Sequence, residues 1–193
     1  MRIGEITRKT NETDIRVELN LDGKGRAVID TGIGFFDHML TALAVHSGFD
    51  LMLSCKGDTE VDGHHSAEDA GIALGRAFAA AIGDRAGIAR YGSFTLPMDE
   101  SLAVCALDVG GRSYTVFDAD FRAERIGDLE TQLIVEFFRA FAANAAVTLH
   151  LNAPYGENDH HKCEALFKAF AHALKAATRV EGTAPLSSKG VLT

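Results

Sequence analysis

Residues 64–83, HHSAEDAGIALGRAFAAAIG, and residues 160–179, HHKCEALFKAFAHALKAATR, are two copies of one pattern set 96 positions apart. Both open on His-His-x-x-Glu and continue with Ala, Leu or Phe every three to four residues. Ala73 matches Ala169, Leu74 matches Phe170, Ala77 matches Ala173, and Phe78 matches Leu174. That spacing gathers the apolar side chains on one face of a helix, so each copy predicts a long amphipathic helix with a polar first turn. A repeat on this scale decides the architecture before any single element does.

Working outward, Asp37-His38-Met39-Leu40 aligns with Val135-Glu136-Phe137-Phe138 at an offset of 98, and each opens a shorter helix. Strands FDLMLSCKG and AVTLHLNA follow those helices. Upstream, at an offset of 88, Ile15, Val17, Leu19 and Leu21 alternate in TDIRVELNLDGKGRAVID, and SLAVCALDVGGRSYTVFD alternates likewise. DGKG and Gly110-Gly111 read as hairpin turns. Each half is thus a hairpin, a helix, a strand and a helix. The expected fold is α+β by internal duplication, residues 1–90 and 91–193, together one compact catalytic unit. Each half is a mostly antiparallel sheet with helices on one face, and the helices pack between the two sheets.

Composition narrows the function. With 47% hydrophobic and 24% charged residues the chain can bury a core. No apolar run reaches membrane-span length, and the start MRIGEITRKT lacks a secretory signal's apolar stretch. Three scattered cysteines without C-x-x-C fit a reducing cytoplasm. A net charge of -8 argues against a large nucleic-acid surface but not against a small anionic ligand.

On a helix, residues four apart share a face, so His64 with Glu68, and His160 with Glu164, can hold a cation. Adjacent histidines point ~100° apart, so the doubled His-His pairs imply two ions. Imidazole plus carboxylate suits Mn, Fe, Co, Ni or Zn, and the absence of nearby Cys argues against a structural zinc site. His38 and its repeat partner Glu136 add one ligand to each site. His46, two turns past His38, is expected to line the same cavity. His150 reads as a core histidine and His172 as a helix-surface residue. Arg90, Arg112, Lys168 and the segment Ser187-Ser188-Lys189-Gly190 offer cations, hydroxyls and N–H groups suited to a phosphate. That short polar tail is expected to order on ligand.

The stretches NET at Asn11, GIGFFDHML at Gly32, DGHHSAEDAGIALG at Asp62, PMDE at Pro97, GRSY at Gly111, TLH at Thr148, DHHKCEALFKAFA at Asp159 and SSKG at Ser187 run almost the whole chain. Together they resemble the imidazoleglycerol-phosphate dehydratase family. The resemblance implies two α+β halves of the ribosomal protein S5 domain 2-like kind. It implies a cytoplasmic hydro-lyase of histidine biosynthesis, making imidazole acetol phosphate and water from imidazole glycerol phosphate. It further implies two Mn(II) ions per active site, and a homo-oligomer of 24 subunits with active sites shared between them. Carried over by motif, the metal ligands are His38, His64, His65, Glu68, His160, His161 and Glu164. Glu136 stands at the eighth position, where the family often has His. Substrate contacts fall on Glu12, His46, Arg90, Arg112, Lys168, Ser187, Ser188 and Lys189.

Removing a weakly acidic C–H proton beside an imidazole ring demands that the ring accept electrons. Two cations on the ring would favour an imidazolate intermediate. Glu12 is the candidate for proton transfer at carbon, with His46, His38 and Glu164 as catalytic partners. Ligand spacing by itself equally suits a two-metal hydrolase or a metal-bridged structural oligomer.

Overall fold

The computed structural model describes residues 1–190. Its first half runs β1 (Ile3–Lys9), β2 (Thr13–Asn20), β3 (Ala27–Asp30), α1 (Gly34–Ser47), β4 (Asp50–Gly57) and α2 (His64–Ile82). The second runs β5 (Tyr91–Met98), β6 (Ser101–Asp108), β7 (Tyr114–Asp118), β8 (Arg125–Ile126), β9 (Leu129–Glu130), α3 (Gln132–Ala145), β10 (Thr148–Tyr155) and α4 (Asp159–Ala177). The α+β duplication is as expected. The small β8–β9 hairpin lies where the offset widens from 88 to 98.

The hairpins differ from expectation. Sheet orders are β1-β2-β4-β3 and β5-β6-β10-β7, so β2 pairs with β1, and β6 with β5, while β3 and β7 lie parallel to β4 and β10. DGKG and Gly110-Gly111 are therefore crossovers rather than hairpin turns. The reason is burial. β4 points Leu51, Leu53 and Cys55 inward and takes the place beside β2, and Asp50 accepts the Lys24 and Arg26 amides, tying the loop to β4.

Both halves repeat one close approach. A Cβ on Gly4 of β1 would lie 1.9 Å from the Ala77 carbonyl oxygen of α2, and one on Gly92 of β5 would lie 1.9 Å from that of Ala173 on α4. Only glycine lets these strands lie against these helices.

The helices form the middle layer. Gly71 meets the Phe137 carbonyl and Gly75 that of Phe141, so α2 and α3 run in the same direction. Phe138 packs on Phe167 and Phe141 on Phe170, with ring centroids 4.8 and 5.1 Å apart. His38 lies by His160 and His46 by His172, at 5.9 and 5.2 Å. Contacts advance together along every pair. All four helices are therefore parallel, and their N-termini meet at one end of the molecule. No helix is long and apolar enough to cross a membrane among the described residues.

Candidate active site

The shared direction of the helices carries His38, His64, His65, Glu68, Glu136, His160, His161 and Glu164 to one end. There His38, His160 and Glu164 offer ligand atoms all within 4.8 Å of one another. Glu164 Oε2 lies 3.1 Å from His160 Nε2 and 3.6 Å from His38 Nε2. Burial works to raise the pKa of Glu164, but Lys168 Nζ at 2.7 Å, with His160 and His38, outweighs it and holds the carboxyl below its ordinary value. On α2, His64 Nε2 is 3.6 Å from Glu68 Oε2. Glu136, the repeat partner of His38, instead pairs with Arg139 at 2.7 Å, so among the described residues the second half-site does not close into a triad.

His65 and His161 point elsewhere than their neighbours, as adjacent helical residues must. Each is oriented by a carboxylate that the sequence reading did not assign. Asp58 lies 3.0 Å from His65 Nδ1, and Glu100 lies 2.8 Å from His161 Nδ1. These hydrogen bonds raise both imidazole pKa values. With Nδ1–H tied to a carboxylate, Nε2 presents its lone pair outward, the arrangement common to metal-bound histidines. Glu100 accepts backbone N–H groups of Asn158 and Glu157 at 2.8 and 3.1 Å, which, with His161, hold its pKa well below the usual range. This donor set, imidazole and carboxylate with no thiol, fits a borderline divalent ion. Glu12, on the tip between β1 and β2, is exposed and lies 3.6 Å from His65 Nε2.

His46 does not join this cluster. It sits near the last turn of α1, eight residues beyond His38 and so ~12 Å along the axis, where Nδ1 lies 3.1 Å from His172 Nε2. Burial, then Lys168 and His172, lower its pKa; burial and Lys175 lower that of His172. His172 is thus no simple surface residue, since its ring also stacks on Phe94 at 4.3 Å. The i, i+4 row from His160 through Glu164 and Lys168 reaches it. His150, expected in the core, is exposed, because Leu149 and Leu151 take the inward face of β10.

The phosphate candidates lie at the other end. The Arg90 amide donates to the carbonyl of Ala177, where α4 stops. Seventeen residues at 1.5 Å each separate Ala177 from His160, about 25 Å. The Arg90 guanidinium grips Asp108 at 2.7 and 2.9 Å, which keeps it charged, and donates to the Leu186 carbonyl at 2.7 Å. The Arg112 carbonyl accepts from Thr148, just past α3, and its side chain is exposed. Glu181, Gly182 and Ala184 bond Gly87 through the backbone, and Lys189 is exposed. Of the basic phosphate candidates, Lys168 lies between the ends, committed to Glu164 at 2.7 Å.

The family model for imidazoleglycerol-phosphate dehydratase matches residues 31–174. A protein of that description from Methanosarcina mazei is 58% identical over 192 residues, covering 100% of both chains, and one from Clostridioides difficile is 57% identical with the same coverage. The crystal structure of the Staphylococcus aureus enzyme of that name superposes with a TM-score of 0.84 at 38% identity, over 92% of this chain and 99% of that one. The Pyrococcus furiosus structure gives 0.85 at 35% identity, over 97% and 100%.

Proposed function

We infer the working of the site from one premise: the chain belongs to the imidazoleglycerol-phosphate dehydratase family, and it is the lyase that dehydrates imidazole glycerol phosphate in histidine biosynthesis. We propose that two Mn(II) ions are held at the helix N-terminal end by His38, His64, His65, Glu68, Glu136, His160, His161 and Glu164. The His38–His160–Glu164 cluster and the two carboxylate-oriented histidines support this assignment. For Glu136 to serve, it must leave Arg139. On the substrate's imidazole, such ions supply Lewis-acid withdrawal of electron density from the ring.

The chain's own groups do the rest. Glu12 takes the C–H proton beside the ring, its exposed carboxylate standing next to His65. His46 and Lys168 contact the substrate between the ends. Arg90, Arg112, Ser187, Ser188 and Lys189 hold the phosphate and use that binding energy to orient the reacting carbons.

The observation that carries this reading is the ~25 Å between ligand and phosphate ends, from the rise of α4. An imidazole, three carbons and a phosphate do not span it. Each active site therefore joins the ligand end of one subunit to the phosphate end of another, consistent with a 24-subunit assembly working in the cytoplasm. The test is an assay of ketone release from imidazole glycerol phosphate. Turnover should vanish on chelation and return with manganese. Full activity of metal-free protein, or release of inorganic phosphate instead, would contradict the proposal.

A further inference from the structure

The two hairpin tips at the ligand end carry the same residue in different states. At the offset of 88, Glu12 corresponds to Glu100 and Thr13 to Ser101. In the second half the Ser101 hydroxyl donates to Glu100 at 2.9 Å, and with the Asn158 and Glu157 amides it locks that carboxylate in place. In the first half the Thr13 hydroxyl turns away and donates to Asp69 Oδ2 at 2.5 Å. Glu12 keeps one ion-pair partner among the described residues, His65 at 3.6 Å, and is 53% exposed.

Asp69 lies on α2 directly after the ligand Glu68 and is buried, with Arg8 of β1 as its counter-ion. The duplicate junction is built without either residue. Leu96 stands for Arg8, and Ala165 for Asp69. The same strand-to-helix packing thus forms from apolar side chains, and buried ion pairs are commonly replaceable by them without loss of stability. Architecture alone gives no reason for the pair.

We propose that Asp69, supported by Arg8, is a positioning residue for proton transfer: it captures the Thr13 hydroxyl that would otherwise bind Glu12, and so leaves the Glu12 carboxylate free beside the ligand histidines. This rests on Glu12 as the proton-transfer group. Asp58 completes the placement, donating its amide to the Glu12 carbonyl at 3.1 Å while its carboxylate holds His65.

The experiment installs the second half's residues in the first, as Arg8→Leu/Asp69→Ala, so that neither charge is left unpaired. The assembled, manganese-loaded enzyme should lose at least about tenfold in kcat, within the reach of one hydrogen bond to a charged group, with KM little changed. Adding Thr13→Val removes the competing hydroxyl and should restore much of the lost kcat. In a Glu12→Gln background the Arg8→Leu/Asp69→Ala change should cost nothing further. Wild-type kcat in the double variant overturns the proposal, as does loss that Thr13→Val fails to rescue or that multiplies with Glu12→Gln. A fully active Glu12→Gln enzyme instead removes Glu12 from the mechanism, a separate failure read without touching Asp69. Should the double variant fail to assemble, Asp69→Asn, which keeps an acceptor for Thr13, must retain most of the kcat, and its loss would count against the proposal.

Discussion

The two ends of the helical layer are built on opposite chemistry. At the N-terminal ends histidines and carboxylates converge, and the basic side chains there are tied up in ion pairs, Lys162 with Asp159 and Arg139 with Glu136; ligand atoms of His38, His160 and Glu164 lie within 4.8 Å of one another. At the C-terminal ends stand Arg90, held by Asp108, Arg112 and the Ser187–Lys189 segment. Helix dipoles favour this polarity, with carboxylates at N-termini and cations at C-termini. On the proposed assignment, four parallel helices separate the metal-binding end from the phosphate-binding end by the helices' own length. The proposal then gives each chain two half-sites rather than one site.

Variants at the two ends should fail in different ways. The largest effect belongs to Glu12→Gln, which should lower kcat by about 10²–10⁴ while metal content and assembly persist; near-wild-type turnover would take Glu12 out of the ligand end's chemistry. Next, Glu100→Ala frees the His161 ring, and manganese affinity should drop about 10- to 100-fold, read by metal titration with the phosphate end untouched. An unchanged affinity would mean that Glu100 serves only the backbone of the α4 start. At the far end, Arg112→Ala should raise KM roughly tenfold or more, the scale of one charge-assisted hydrogen bond, without altering metal content. A metal defect there would break the division of labour. The smallest effect is on stability alone. Gly4→Ala and Gly92→Ala each drive a Cβ into a helix carbonyl and should each cost about 1–3 kcal/mol, seen as a lower Tm. Unequal costs would show that the two strand–helix contacts are not equivalent.

Much of this was legible in the residues because helical periodicity and the doubled His-His-x-x-Glu report directly on which side chains share a face. The alternation in Ile15–Leu21 likewise identified β2, but alternation does not say which strand lies alongside. The turn sequences DGKG and Gly110-Gly111 suggested a local partner, and burial of β4 and β10 overrode it. β1, with Glu5, Thr7 and Lys9 on its outer face, carried too little apolar alternation to be recognised. His150 was misplaced although its Leu149 and Leu151 neighbours already assigned it outward. Asp58, Glu100 and Asp69 went unassigned because each acts from a different element than the residue it orients. For Glu100, the repeat pairing with Glu12 was the available signal. The separation of the ends needed the helix directions, which no spacing along the chain contains.

The central claim is that one site takes its two ends from different subunits. It is tested most directly by mixing two nearly inactive variants, His160→Ala at the ligand end and Arg112→Ala/Lys189→Ala at the phosphate end, dissociated and reassembled together. Sites shared between subunits predict that the hybrid regains turnover that neither parent has, because some sites then join an intact ligand end to an intact phosphate end. A hybrid no more active than the sum of its parents would contradict the account.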